Sequence, residues 1–215
     1  MVTGFIQVDG STIGAVANRT ALFDENGEKS ADFDAVLTVD GAYKAADFIN
    51  FCDAYDIPVL SLTNVKGYAA DVRSEKSIAK AVAKLTYAFA NANVPKVNVI
   101  TGEAYGSAYV TMNSKALGAD VTYAWPDASI GMMDANEAAK IMYADEIAKS
   151  ADVQSVISDK AAEYAALQSG VESAAARGYV DTIINPEDTR KYVAAAFEML
   201  YTKREDRPDK KHGTV

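Results

Sequence analysis

The stretch Val94–Tyr109, VPKVNVITGEAYGSAY, constrains this chain most. Val97, Val99 and Ile100 form a buried-strand pattern that runs into a turn bracketed by Gly102 and Gly106, and a helix start is predicted near Ser107. A strand, a tight glycine turn and a helix start together present free backbone N–H groups to an anion. Around this unit, strand and helix patterns alternate along most of the chain. That alternation implies a layered α/β fold closed by a helical C-terminal block.

The remaining segments read as follows. Phe5–Asn18 predicts two strands around an Asp9–Gly10 hairpin turn. Ala21–Asp32 is polar and turn-rich and reads as a loop; Ala35–Val39 reads as a short strand. Asp40 is a candidate cap for a helix reaching Tyr55, with Ala46, Ile49, Cys52 and Asp53 near helical spacing. Pro58–Thr63 is a predicted strand that ends in a loop at Gly67–Tyr68. Ser74–Ala92 carries the helical stripe Ile78, Val82, Leu85, Phe89. The helix after Gly106 is expected to run to about Leu117, and Val121–Trp125 forms another strand. Asp134–Leu200 is mainly helical, with a break at Gly170, a short extended piece within Arg177–Ile184, and Pro186 in the first turn of the last helix. Residues 1–202 are expected to form the domain and 203–215 a charged tail.

Composition excludes several function classes. A net charge of −9 over 215 residues argues against sequence-independent nucleic-acid binding. No apolar run approaches about 18 residues, so no membrane span is expected. The opening MVTGFIQVDG has neither a basic nor an apolar leader segment, so no signal peptide is expected. The single cysteine, Cys52, fits a reducing, cytoplasmic setting and reads as a core thiol. The single histidine, His212, stands three residues from the C-terminus. A Ser–His–Asp or Cys–His arrangement would therefore hang on the tail, and no His/Cys metal site is expected. Chemistry must come from carboxylates, Lys or Tyr, or from a cofactor that brings its own base. Neither GxGxxG after the first strand nor GxxxxGK[ST] occurs, so both common nucleotide-binding folds lose their main support.

The candidate groups each carry two readings. Gly106–Ser107–Ala108 is either a pair of oxyanion-stabilising N–H groups, at Ser107 and Ala108, or small-residue packing where a helix crosses a sheet. Asn64–Tyr68 is a binding loop or an ordinary turn, and Ile130–Asp134 is a third loop of the same kind. Tyr105, Tyr109 and Tyr123 line a pocket or pack in the core. Asp24, Glu25, Glu28, Asp32 and Asp34 lack metal-loop spacing and read as a solvated loop.

At the level of whole segments the chain resembles a known family. MVTGF, IGAVAN, ADFINFCDAYDIPVL, LTYAFANANVPKVNVITGEAYGSAY, GADVTYAWPDASI, RGYVDTIINPEDTR and MLYTKREDRPDKKHG, in that order, cover nearly its whole length. They look like the C-terminal half of the β (carboxyltransferase) subunit of biotin-dependent acyl-CoA carboxylases, such as propionyl-CoA carboxylase, and of related biotin-dependent decarboxylases. The resemblance implies a crotonase-like fold of repeated strand–strand–helix units with a helical C-terminal block. It implies carboxyl transfer between carboxybiotin and the α-carbon of an acyl-CoA, with biotin carried covalently on a carrier protein. The biotin ureido anion would be held by backbone N–H groups and would take the α-proton itself, which explains a chain with no usable histidine. The family's catalytic positions fall on Gly106, Ser107 and Ala108, and its biotin-side positions on Gly67, Tyr68, Tyr105 and Gly131.

The resemblance also implies partners: a chain carrying the N-terminal, acyl-CoA half, a biotin carboxyl carrier protein, and a homo- or hetero-oligomer. Because the chain opens with its own Met where the family's second half would begin, a split subunit is expected. Several positions depart from the family pattern. Gly106–Ser107–Ala108 replaces Gly–Gly–Ala, Val65–Lys66–Gly67–Tyr68 replaces Val–Pro–Gly–Phe, and Ala81–Val82–Ala83 replaces His–Gly–Ala. Asp134 stands for a glycine, and Val110 for a substrate-tuning Asp. A decarboxylase component and a non-catalytic assembly subunit remain alternatives. A free-standing hydratase or hydrolase would need a carboxylate pair that the sequence does not display.

Overall fold

The computed structural model describes residues 1–150 and 152–205. His212 and the tail beyond Glu205 therefore lie outside the described residues. The chain opens with β1 (Val2–Val8) and β2 (Ser11–Ala17), an antiparallel hairpin. Asp9 (φ 49°) and Gly10 (φ 79°) turn it, the pair of positive φ values that a two-residue hairpin loop requires. The polar stretch that follows is a second hairpin rather than a loop: β3 (Ala21–Phe23) pairs β4 (Lys29–Asp32), and Asp24 accepts the N–H groups of Asn26 and Glu28 at the turn. Its strand residues are largely exposed, so the alternation that marks a half-buried strand is missing. The expected strand within 35–39 is the two-residue β5 (Val36–Leu37).

Helix α1 (Val39–Ala54) is capped by Thr38, not Asp40. Thr38 has the extended backbone of an N-cap, and its Oγ1 accepts the Gly41 N–H at 3.1 Å. Asp40 lies one residue inside the first turn and pairs with Arg73 instead. Strand β6 (Val59–Val65) leads to β7 (Gly67–Tyr68), which pairs in parallel with β5 and so is not a free loop. Helix α2 (Val72–Asn91) starts at an Asp71 cap and buries Leu85 and Phe89, with Ile78 and Val82 packed against the same core. It lies against α1.

Strand β8 (Lys96–Tyr105) passes directly into α3 (Gly106–Thr111). This helix stops well before Leu117. Asn113 takes φ 58°, and a separate 3₁₀ turn at Lys115–Leu117 closes on Gly118 at φ 109°. Then come β9 (Val121–Ala124), β10 (Ser129–Gly131), α4 (Ala135–Met142), α5 (Ala144–Lys149) and α6 (Val153–Tyr164). A π-helical turn, Ala165–Ser169, leads from α6 to α7 (Val171–Ala176). The chain returns through β11 (Thr182–Ile183), a 3₁₀ turn at Pro186–Asp188, and α8 (Thr189–Met199).

The main sheet has the order β1-β2-β6-β8-β9-β11, parallel apart from the first hairpin, with β10 added to the upper end of β8. Alternate residues of each strand face opposite sides. Leu60, Val97, Val99, Val121 and Tyr123 face α8 and pack with Val193, Ala196 and Phe197. Val59, Ile100 and Ala124 face the other way, into the core shared with α1, α2 and α3. Lys203 ties the start of the charged segment back to the sheet. Its Nζ reaches Asp120 Oδ2 at 2.9 Å and the Val94 carbonyl at 3.2 Å. No helix among the described residues is long and apolar enough to cross a membrane.

Candidate active site

The site grows out of the end of β8. Between Ile100 and Ala104 the strand carries extra residues relative to β6, since Thr63 pairs with Ile100 but Val65 pairs with Ala104. Asn64 fills this bulge: its Oδ1 accepts the Glu103 N–H at 3.0 Å and lies 2.8 Å from where a Gly102 side chain would start. Above the bulge β8 takes β10 as a neighbour, with Glu103, Ala104 and Tyr105 opposite Ser129, Ile130 and Gly131. The Ile130–Asp134 segment, read from sequence as a loop, thus begins as a strand. Its pairing places the Met132 carbonyl over the turn.

At the turn, Tyr105 is extended and Gly106 enters the left-handed region at φ 57°. A side chain at Gly106 would also start 2.9 Å from the Met132 oxygen. Both facts demand glycine. No side chain caps α3. Its first N–H groups therefore keep the positive end of the turn available. Ser107 is exposed, whereas Ala108 is buried on the sheet side.

A cavity of about 490 Å³ opens beside this turn. Gly106, Ser107 and Val110 form one wall, and Ile130, Gly131 and Met132 another. Tyr164, Gln168, Arg177 and Tyr179, from the helical block, close the outside. The π-helical turn at Ala165–Ser169 brings this wall in, and Gly170 bridges to Ser129. Gly170, noted from sequence only as a break, is thus a tie between the helical block and the site. No local pattern marked Tyr164, Gln168, Arg177 and Tyr179. They reach the cavity only through tertiary packing.

Of the seven residues singled out from sequence, Gly106, Ser107 and Gly131 line the cavity. Ala108 lies behind them in the core, and Tyr105 is buried beside Gly131. Gly67 and Tyr68 are not in the cavity wall. They form β7, which packs against α3. Burial raises the Tyr105 hydroxyl above the usual phenol range, a hydrogen bond with Ser129 works the other way, and nearby Glu103 and Asp134 add to the rise. Burial pushes Tyr109 up to about 12. Both phenols are therefore neutral at neutral pH; Tyr109 lines the cavity, and Tyr105 lies buried behind it. No cluster of three His, Cys, Asp or Glu side chains that could hold a metal ion occurs among the described residues. Cys52 is fully buried in α1, and burial raises its thiol to about 11. The cavity lining is mainly apolar, with Ser107, Ser114, Gln168 and Arg177 as its polar members besides the tyrosines.

A mainly parallel sheet with helices packed on both faces and a helical outer wall is the mixed α/β architecture of the crotonase-fold carboxyltransferases. The chain belongs to the carboxyl transferase domain family, whose model matches residues 1–215. It is 42% identical over 220 residues to a propionyl-CoA carboxylase beta chain of Saccharopolyspora erythraea, covering 100% of this chain and 38% of that one. It is 38% identical over 216 residues to the alpha subunit of a methylmalonyl-CoA decarboxylase from Propionigenium modestum, covering 100% of this chain and 40% of the relative. The solved transcarboxylase 12S structure, described as a hexamer assembly with methylmalonyl-CoA and methylmalonic acid bound, superposes with a TM-score of 0.87. The match is at 40% identity over 98% of this chain and 39% of that one. The chain thus spans well under half the length of the relatives it matches.

Proposed function

We propose that this chain is the biotin-facing half of an acyl-CoA carboxyltransferase. One observation carries the reading: α3 opens uncapped at Gly106, with φ 57°, on the wall of the cavity. The Ser107 and Ala108 N–H groups hold negative charge that develops beside the turn. Each such donor contributes about 3 kcal/mol where water is excluded. Gly106 and Gly131 leave backbone, not side chain, at the point of approach. Val110, Ile130 and Met132 give the apolar walls that suit a fused ring with a sulfur atom, while the donors suit its single polar edge. The residues present therefore fit biotin. When bound on its carrier protein, biotin supplies the carboxyl group and the base. The chain's own part is to orient, to stabilise charge and to exclude water. Tyr109 adds to the cavity wall, and β7, with Gly67 and Tyr68, braces the other flank of α3.

The acyl-CoA site, the biotin carrier and the oligomer partners lie outside this sequence on this reading. Mixing the chain with the complementary acyl-CoA half and a biotinylated carrier should move labelled carboxyl onto propionyl-CoA. No transfer from a correctly assembled complex would overturn the proposal and leave the assembly-subunit alternative. Similarity to a decarboxylase subunit supports a second reading, the same site run toward loss of carbon dioxide from methylmalonyl-CoA. The favoured direction in the same assay separates the two.

A further inference from the structure

Beneath α3 the sheet buries a row of polar side chains that the proposed chemistry does not use. Ser61, Asn98 and Thr122 are register partners on β6, β8 and β9, so they stand side by side on the face toward α3. All three are fully buried, as is Thr63. Asn113 drops onto the row from the end of α3, where it takes φ 58°. Its Nδ2 donates to Ser61 Oγ at 3.0 Å. The Asn98 amide is 3.1 Å from Ser61 Oγ and 2.8 Å from Thr63 Oγ1, and Thr63 Oγ1 is 3.3 Å from the Met112 carbonyl that ends α3.

Three atoms of this layer have no partner among the described residues: Asn98 Nδ2, Asn113 Oδ1 and Thr122 Oγ1. Whichever way the Asn98 amide is turned, one of its polar atoms is left over. Thr122, whose hydroxyl is also unpartnered, is the register neighbour of Asn98 on β9. A leftover amide atom, a carbonyl oxygen and a hydroxyl are donors and acceptors of the kind a buried water satisfies. Left bare, each group would forfeit the hydration it has in the unfolded chain.

We infer that this layer holds a buried water, and that Asn98, as its hub, is a positioning residue for α3. The helix has six residues, so the corner at Met112–Asn113 is about one and a half turns from Ser107. A tilt at that corner reaches the two N–H donors almost undiminished. The link to catalysis rests on the function proposed above; the water site does not.

Two variants of the full chain test the inference. Thr122→Val keeps the side-chain shape and deletes the orphan hydroxyl. With a water bound there, the variant loses a hydrogen bond and its Tm falls. A Tm that rises would mean an empty site relieved of an unsatisfied group, and would overturn the water. Asn98→Leu should move the Ser107 and Ala108 amide resonances and lower kcat for carboxyl transfer about tenfold or more, with KM for acyl-CoA held. Unmoved resonances and unchanged kcat in a folded Asn98→Leu protein would overturn the positioning role. If the wild-type assembly transfers no carboxyl group, the function fails, while the Tm and resonance results still judge this inference.

Discussion

The Met132 carbonyl oxygen lies 2.9 Å from the point where a side chain on Gly106 would begin. Two segments distant in sequence thus close on one turn, joined by the pairing of Tyr105 with Gly131. Gly106→Ala adds a methyl group at φ 57° and drives it into that carbonyl. The backbone term alone costs about 1–2 kcal/mol. Thermal unfolding should show a lowered Tm, and carboxyl transfer should fall more steeply than the folded fraction. An unchanged Tm would mean that the turn is looser than described.

Gly14 and Cys52 make a second such pair. A side chain at Gly14 would start 2.5 Å from Cys52 Sγ. Gly14→Ala should therefore destabilise, and adding Cys52→Ala should recover part of the loss by opening that space. A coupling of about 0.5–3 kcal/mol in the double-mutant cycle is expected. Additive effects would show that the two do not touch.

The Cys52 thiol also gives a pH signature. Its folded pKa is raised by burial to about 11, above the unfolded value. The unfolded chain therefore releases this proton first, and the stabilisation, complete below about pH 8.5, is lost as pH rises toward the folded value. Urea unfolding across that range should show falling stability in the wild type and a flatter profile in Cys52→Ala. Equal slopes would contradict the burial.

At the acid end, Asp71 caps α2. The Ser74 backbone N–H, first among its causes, holds the Asp71 carboxyl below its usual value. The cap's contribution is therefore present above the ordinary aspartate pKa of about 3.9 and is lost as pH falls through the lower folded value. Asp71→Asn should weaken that acid-side slope, read as Tm against pH.

Lys203 and Asp120 have side chains 8% and 17% exposed, joined at 2.9 Å. Lys203→Met leaves Asp120 without this partner and should cost about 3 kcal/mol, while exposed Arg204→Ala should cost less than about 0.5 kcal/mol. Equal effects would show that the segment start is not held by this pair.

Much of the fold was legible from the sequence because its signals are local. Asp9–Gly10 announces a hairpin, Leu85 and Phe89 mark a buried helical stripe, and Val97, Val99 and Ile100 a buried strand. Where signals are non-local, reading failed. The hairpin around Asp24 lacks a buried face. Thr38 and Asp40 are both good caps by residue type, and only backbone geometry selects Thr38. Helix α3 ends early because Asn113 adopts a positive φ to reach Ser61, a partner distant in sequence. The turn at Gly106 was visible, but the cavity beside it was not, since Tyr164, Gln168 and Arg177 reach it from the helical block. Similarity over whole segments, not any single motif, carried the family assignment.

On the proposed function, backbone N–H groups rather than side chains do the work at this turn. Two substitutions at one position separate them. Ser107→Ala keeps the N–H; Ser107→Pro removes it in the first turn of a helix, where proline is tolerated. In a carboxyl-transfer assay with the complementary half and a biotinylated carrier, the account predicts kcat for Ser107→Pro about 100-fold or more below that of Ser107→Ala, with both proteins folded. Equal kcat values for the two folded variants would contradict it.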